Sequence, residues 1–497
     1  MRTISQGLRW RARRHPDLEA LWYRGQSTTY GQLDQQASAL AAGLIRELDL
    51  TPGDRVAVLD KNTAHALELM LALDRAGVVA VPVNWRLTAS EVATVVNDAE
   101  PVALVVDEEF RQSADQVACR VMGFDELPRD ADAGDPRRDA ENSVTWQLYT
   151  SGTTGLPKGA MLTNLNLNTL TGSLLFEIPE LREGGRSLVA MPLYHIGGCG
   201  WALASILCGS TAVIVREFLP QEVLKILAEQ RVDTAFLVPA ALLFLTSMPE
   251  AQTTDFSNLK NVAYGASPIS PEILKRSIDT FKCRFTQLYG LTETTGAAVA
   301  LTFENHEGER LLSAGRPMYG VDVRVVDPDD KEVPAGEIGE IVIRAPTVMQ
   351  GYWRRDEDTK ATIRDGWFHS GDAGTMDADG FVYIKDRIKD MIVSGGENVY
   401  PAEIEAVLAG HPDVADVAVI GVPDDQWGET VKALVVAKDG ATPDGDAIID
   451  WARERLAGFK RPRSVDFVET IPRNPSGKIL KRELREPYWA GKTRRVS

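Results

Sequence analysis

The stretch from Tyr149 to Asn164, YTSGTTGLPKGAMLTN, gathers hydroxyl groups and a lysine around three glycines. The hydroxyl groups and the lysine belong to Thr150, Ser151, Thr153, Thr154 and Lys158, and the glycines are Gly152, Gly155 and Gly159. Glycines let backbone amides approach an anion, hydroxyls donate hydrogen bonds, and the lysine adds a mobile positive charge. The spacing differs from the Walker pattern GxxxxGK[ST]. The residues therefore predict a phosphate-binding loop of another kind, with a flexible surface loop as the alternative for this stretch alone.

Further blocks follow it in order. They are QLYGLTETTG (287–296), DGWFHSGDAG (365–374), YIKDRIKDMIVSGGENVYPAEIE (383–405) and IPRNPSGKILKREL (471–484). Together with the loop, these blocks resemble those of the adenylate-forming enzymes, which include acyl- and aryl-CoA ligases, peptide-synthetase adenylation domains and luciferases. The resemblance extends over nearly the whole chain. It implies that ATP activates a carboxylic acid as an acyl-adenylate, and that coenzyme A then accepts the acyl group.

The resemblance also implies which residues contact ATP and Mg²⁺. It assigns Tyr264, Gly265, Ala266 and Ser267 to the frame around adenine, Tyr289 to stacking on the base next to Gly290, Thr292 to the α-phosphate, and Asp372 and Arg387 to the ribose. Residues 150–154 and Lys158 are assigned to binding the leaving pyrophosphate. Glu293, with Thr150, is assigned to Mg²⁺, which prefers one or two carboxylates together with phosphate oxygens and water.

The third and fourth blocks carry the residues for movement and acyl transfer. By the resemblance, Lys478 enters the active site for the first half-reaction, Lys389 is the hinge residue, and Gly395 and Gly396 let the pantetheine arm pass close to the backbone. Asp386 stands where glycine is common before the arginine, which leaves the shape of this turn open.

The acid-binding side is expected around MPLYHIGGCGW, Met191 to Trp201. The resemblance puts His195 beside the substrate carboxylate, whereas Trp201 either lines the acyl channel or packs in the core. Small residues predict room for a chain or a ring; they are Gly197, Gly198, Gly200, Ala266, Gly296 and Ala297. Such pockets discriminate through a few apolar contacts of about 1–3 kcal/mol each, so fatty and aryl acids both remain candidates.

Composition narrows the classes of partner. The net charge of −17 argues against nucleic acid as the main partner but allows a local cradle for a nucleotide. The four cysteines form no CxxC pair, so neither a zinc site nor a disulfide framework is expected, and reduced thiols favour the cytoplasm. No apolar run reaches the roughly 20 residues of a membrane span. Weak peripheral membrane contact through the arginines of residues 9–14 is an alternative, and a monomer and a homodimer are both compatible.

Strand and helix signals alternate along the first part of the chain, which predicts an α/β layer with largely parallel strands. Ser143 to Thr150 is rich in β-formers, and the residues from Gly159 predict the start of a helix. The pattern changes after the third block. We therefore predict an α/β fold with a large domain of layered α/β subdomains (1–385), a hinge (386–389) and a small mobile α+β domain (390–497).

The predicted function is an AMP-forming acid–CoA ligase for a medium- to long-chain fatty acid. Three alternatives share the same motifs: a ligase for cinnamate-type aryl acids, an adenylating enzyme that serves a carrier protein, and one that passes the acyl group to an amine. A non-catalytic binding module is disfavoured because Glu293 and Lys478 are both present.

Overall fold

The computed structural model describes residues 3–130, 142–150, 157–395, 397–473 and 479–490. Its strands are β1 (Glu19–Tyr23), β2 (Gln26–Thr29), β3 (Arg55–Leu59), β4 (Val79–Val83), β5 (Ala103–Val106), β6 (Arg120–Gly123), β7 (Val144–Thr150), β8 (Lys158–Thr163), β9 (Arg186–Val189), β10 (Thr211–Ile214), β11 (Thr234–Leu237), β12 (Asn261–Gly265), β13 (Arg284–Tyr289), β14 (Val299–Leu301), β15 (Arg316–Pro317), β16 (Asp322–Val326), β17 (Gly339–Arg344), β18 (Gly351–Tyr352), β19 (Ile363–Arg364), β20 (Trp367–Met376), β21 (Val382–Arg387), β22 (Ile392–Ser394), β23 (Glu397–Val399), β24 (Val414–Asp424), β25 (Gly428–Ala437) and β26 (Ser464–Phe467). Its α-helices are α1 (Ile4–Arg14), α2 (Tyr30–Leu48), α3 (Ala64–Ala76), α4 (Ala89–Ala99), α5 (Asn164–Glu177), α6 (Ile196–Cys208), α7 (Pro220–Glu229), α8 (Pro239–Ser247), α9 (Pro271–Phe281), α10 (Asp356–Thr362), α11 (Pro401–Leu408), α12 (Gly445–Arg453) and α13 (Lys481–Trp489).

Two sheets with mostly parallel strands form the body of the large domain, as the alternating pattern predicts. The seven-stranded sheet has the order β18-β8-β7-β4-β3-β5-β6, and the nine-stranded sheet has the order β15-β14-β13-β12-β11-β9-β10-β1-β2. One large hydrophobic cluster joins residues of both sheets with the helices between them. Local sequence signals agree with these elements: Thr88 and Glu91, for example, form a capping box at the start of α4.

The segment after the predicted phosphate loop differs from the expectation. Residues 158–163 form β8, which pairs antiparallel with β7, and helix α5 starts only at Asn164. The helix expected directly after the loop is therefore wrong at its start. The reason is tertiary: β8 pairs with β7 on one side and with β18 on the other, so its backbone groups bond to neighbouring strands. β7 and β8 thus form an antiparallel hairpin pair.

The remaining strands form two five-stranded sheets. One contains β16, β17, β19, β20 and β21, and the other contains β22 to β26. Residues from Ile392 onward also have hydrophobic clusters of their own, on the two faces of the second of these sheets. The fold is therefore a large α/β domain followed by a smaller α+β domain. No helix within the described ranges has the length and apolar character needed to cross a bilayer.

Candidate active site

Lys158 lies at the base of the hairpin loop. It is the register partner of Thr150, so the two residues face each other across the ends of β7 and β8. The Lys158 Nζ atom lies 2.8 Å from Asp358 Oδ1 on α10 and 5.4 Å from the centroid of the Tyr352 ring. Both ends of the predicted phosphate loop are thus fixed in a sheet. Ser151, Gly152, Thr153 and Thr154 lie outside the described residues.

Asp98 at the end of α4 holds the stem of this hairpin. The Tyr149 hydroxyl donates to Asp98 Oδ2 at 2.7 Å, and Arg355 donates to Oδ1 at 2.7 Å. The indole N–H of Trp353 donates to the backbone oxygen of Asp98 at 3.2 Å. Sequence reasoning missed Asp98, because its partners lie 51 to 257 residues away along the chain.

Glu293 lies in a single 3₁₀ turn, Thr292–Thr294, that follows β13. Its Oε1 accepts a hydrogen bond from the Tyr352 hydroxyl at 2.8 Å, and its backbone oxygen accepts one from the amide of Met349 at 2.8 Å. The described residues contain no group of three or more His, Cys, Asp or Glu side chains that could hold a metal ion. A lone carboxylate nevertheless fits Mg²⁺ that arrives with a nucleotide, because this ion takes most of its remaining ligands from phosphate and water.

Tyr289 and Arg387 form one network with the buried Asp372 carboxylate. The Tyr289 hydroxyl donates to Asp372 Oδ2 at 2.7 Å, while Arg387 Nε lies 2.8 Å from Asp372 Oδ1. Burial and then the charge of Asp372 raise the pKa of Tyr289 well above its ordinary value, so the phenol stays protonated and donates. A carboxylate has about four lone-pair sites, so Asp372 can hold these partners and still accept hydroxyl groups of a ligand. Sequence reasoning named all three residues, but not their contacts with one another.

The residues assigned to adenine come together at the carboxyl ends of β12 and β13. These strands are parallel neighbours, and Gly265 is the register partner of Leu288. A Cβ on Gly265 would lie 2.1 Å from the Leu288 carbonyl oxygen, so the close strand approach requires glycine here. Ala266 turns out of the strand with φ +67°, and Ser267 follows it. A Cβ on Gly290 would lie 2.7 Å from the Gly296 oxygen, which shows equally close packing on the β13 side.

His195 is the residue that precedes α6. Its Nε2 is buried and has no hydrogen-bond partner among the described residues. Burial and then the nearby positive charge of Arg86 lower the pKa of His195 to about 4. The imidazole is therefore neutral at neutral pH. It can donate or accept a hydrogen bond, but it supplies no positive charge for a substrate carboxylate.

The glycines expected to leave open space are packed instead. A Cβ on Gly197 would lie 2.9 Å from the Phe236 ring, and one on Gly296 would lie 3.0 Å from Ile196. Trp201 is buried, with its ring centroid 5.9 Å from that of Phe236. The expectation of free room is therefore wrong at Gly197 and Gly296, because Ile196 and Phe236 fill it. Sequence reasoning missed Ile196, since an isoleucine at a helix start carries no chemical signal.

The turn assigned to the hinge contains Lys389 within the 3₁₀ segment Ile388–Asp390, and burial lowers the pKa of Lys389. Asp386, the departure from the common glycine, accepts hydrogen bonds from the amides of Arg387 (2.7 Å) and Ala402 (2.8 Å). Its carboxylate also lies 3.6 Å from Lys481 Nζ. Asp386 therefore joins the end of β21 to the first turn of α11 and to α13.

Gly395 has φ +61°, and a Cβ there would lie 2.6 Å from the Trp427 ring, so this turn requires glycine. Trp427 is itself 41% exposed, which leaves an aromatic surface beside the glycine. Gly396 and Lys478 lie outside the described residues.

Comparison with known proteins identifies two matching family models. The model described as AMP-binding enzyme matches residues 8–353, and the model for the AMP-binding enzyme C-terminal domain matches residues 403–478. A fatty acid–[acyl-carrier-protein] ligase from Streptomyces coeruleorubidus is 38% identical over 100% of this chain and 98% of that protein. A feruloyl-CoA synthase from an Amycolatopsis species is 41% identical over 96% of this chain and 97% of its own length. The solved structure of an amide bond synthetase from Marinactinospora thermotolerans superposes with a TM-score of 0.89 at 31% identity, covering 98% of this chain and 100% of that chain.

Proposed function

This chain belongs to the AMP-binding enzymes and activates a carboxylic acid with ATP through an acyl-adenylate, and from that premise we propose that it is a fatty acid–CoA ligase. The observation that carries the proposal is the convergence of the nucleotide-binding residues at one edge of the nine-stranded sheet. Gly265 ends β12 and Ala266 follows it, while Tyr289 ends β13 and Glu293 follows it, with Asp372 hydrogen-bonded to Tyr289. Ligands of open α/β sheets bind at this carboxyl edge.

In the first half-reaction, an oxygen of the carboxylate attacks the α-phosphorus of ATP, and pyrophosphate leaves. Both reactants are anions, so neutralising charge and aligning the attacking oxygen are the main tasks. Residues 150–154 and Lys158 bind the leaving pyrophosphate, and Lys478 bridges the carboxylate and the α-phosphate. Glu293 with Thr150 would hold Mg²⁺, which neutralises phosphate charge when it is bound.

In the second half-reaction, the thiol of CoA attacks the acyl carbonyl and AMP leaves. We assign residues 1–385 to the domain that holds the adenylate, 386–389 to the hinge and 390–497 to the domain that moves. Rotation about Lys389 withdraws Lys478 and brings Gly395 and Gly396 toward the adenylate, so one cleft serves two reactions. The exposed Trp427 ring beside Gly395 supports a passage for an organic thiol at this turn.

The acid is proposed to be apolar apart from its carboxylate. Ile196 and Phe236 fill the space beside the glycines, and the neutral His195 offers no charge to a polar substituent. A medium- to long-chain fatty acid fits this chemistry. A ligase for cinnamate-type acids is the second candidate, because the Trp201–Phe236 ring pair offers aromatic contacts and the feruloyl-CoA synthase is 41% identical.

Product analysis by mass spectrometry tests the proposal. Purified protein with ATP and Mg²⁺ is given a mixture of fatty and cinnamate-type acids, with CoA, a carrier protein or a simple amine in separate reactions. Fatty acyl-CoA and AMP are the expected products. Cinnamoyl-type thioesters would favour the second candidate. Adenylate with no thioester in the CoA reaction would refute CoA as acceptor, and the other two reactions would identify the class that replaces it.

A further inference from the structure

Tyr352 touches the carboxylate assigned to the metal ion. Its hydroxyl donates to Glu293 Oε1 at 2.8 Å across 59 residues of chain. The side chain is almost fully buried, with 7% of the residue exposed. A phenol with an ordinary pKa near 10 is protonated at neutral pH, so it acts as a donor to the carboxylate. Because the bond engages Oε1, the second oxygen of Glu293 stays available for a ligand.

The backbone of Tyr352 is held on two sides. On one side, β18 pairs with β8, so Tyr352 is the register partner of Ala160 in the hairpin that carries the phosphate loop. On the other side, the Tyr352 amide donates to the Thr359 hydroxyl of α10 at 2.9 Å. Gly351 has φ +150°, and a Cβ there would lie 2.8 Å from the Thr359 methyl carbon. Tyr352 therefore has little freedom to shift away from Glu293.

The same ring also lies near Lys158, whose Nζ is 5.4 Å from the ring centroid. Tyr352 thus lies between the lysine assigned to pyrophosphate and the carboxylate assigned to Mg²⁺. We infer that Tyr352 is a positioning residue: it orients the Glu293 carboxylate for the metal ion of Mg²⁺·ATP and fixes it relative to the hairpin. The inference rests on the proposed function, because it requires Glu293 to meet that ion.

Equilibrium binding of ATP distinguishes an effect of Tyr352 on the metal ion from an effect on the nucleotide site as a whole. Calorimetry would compare Tyr352→Phe with the wild-type protein, once with ATP and Mg²⁺ and once with ATP in EDTA. We expect Mg²⁺·ATP to bind about tenfold more weakly to the variant, the loss of about 1.4 kcal/mol, while metal-free ATP binds within about twofold of wild type. Tyr383→Phe is the matched control, because that hydroxyl donates to Asp377 at 3.2 Å, outside the site. Its affinities should equal those of the wild type.

Two further measurements make the result decisive. In acid-dependent ATP–pyrophosphate exchange, the Mg²⁺ concentration for half-maximal rate should rise for Tyr352→Phe, with the limiting rate recovered at high Mg²⁺. Thr359→Val removes the hydroxyl that accepts a hydrogen bond from the Tyr352 amide. It should raise the Mg²⁺ concentration for half-maximal rate by a smaller factor, and it provides a second test if Tyr352→Phe does not fold.

Equal losses for Mg²⁺·ATP and metal-free ATP, or no loss at all, would refute the role of Tyr352. Failure of the proposed function would be visible in the wild-type protein itself, where Mg²⁺ would not increase the affinity for ATP. That result would remove the premise that Glu293 meets the metal ion.

Discussion

Replacing His195 by phenylalanine should make the stability of the large domain less sensitive to acid. The Nε2 atom of the ring is buried and has no partner within the described residues, and the pKa of His195 is lowered to about 4. In the unfolded chain an ordinary histidine has a pKa of about 6.5. Between these two pH values, the histidine is mostly protonated in the unfolded chain and mostly neutral in the folded protein. The free energy of unfolding therefore falls as the pH falls from about 6.5 to about 4.

The size of the effect follows from the two pKa values. With about 4 in the folded protein and 6.5 unfolded, linkage gives a loss of about 2 kcal/mol between pH 7.5 and pH 5. The loss approaches about 3 kcal/mol at pH 4, where most unfolded histidine is protonated. Phenylalanine cannot take a proton, so this part of the pH dependence should vanish in the variant.

Guanidinium unfolding of the large domain at about pH 7.5 and pH 5 measures the change. Other groups titrate in the same range, so the useful quantity is the difference in pH dependence between wild type and His195→Phe. His65→Gln is the control, because it removes a histidine whose side chain is 68% exposed. If wild type and His195→Phe lose the same free energy on acidification, His195 is not a buried neutral imidazole.

Four further changes have defined outcomes. Gly265→Ala puts a Cβ 2.1 Å from a carbonyl oxygen of β13, so thermal unfolding should reveal a loss of about 1–3 kcal/mol and nucleotide binding should weaken. Gly172→Ala, with nothing within 4 Å of the new Cβ inside α5, should be neutral or stabilising. Asp358→Asn frees Lys158 from a partly exposed ion pair, so ATP titration should give up to about fivefold tighter binding; weaker binding would mean that the pair aids the site. Lys478→Ala should suppress adenylation yet spare thioester formation from supplied acyl-adenylate, and rapid-quench assays showing equal loss in both steps would contradict its role.

Much of the fold follows from local signals in the sequence. The β-branched runs before and after α3, the capping box at Thr88 and Glu91, and Pro401 at the first position of α11 agree with the structure. These signals act within a few residues, so they can be read along the chain. The sequence blocks also select Tyr289, Asp372 and Arg387 as candidates, and the structure brings these three side chains into contact with one another.

The parts that sequence reasoning missed depend on contacts between distant residues. Residues 158–163 form a strand because two neighbouring strands pair with them, which overrides the local preference. Asp98 and Tyr352 support the site through partners 51 or more residues away. Ile196 fills the space beside Gly296, which lies one hundred positions later in the chain. None of these residue types signals its role until the fold brings the partners together.

Acid-dependent exchange of labelled pyrophosphate into ATP tests the central claim most directly, because it reports adenylation without any acceptor. We expect label in ATP when Mg²⁺ and a fatty acid are present and CoA is absent, and we expect Glu293→Gln to lose most of that exchange. Exchange that proceeds without any acid, or hydrolysis of ATP to ADP and phosphate in place of exchange, would contradict the assignment of this site to the activation of a carboxylic acid.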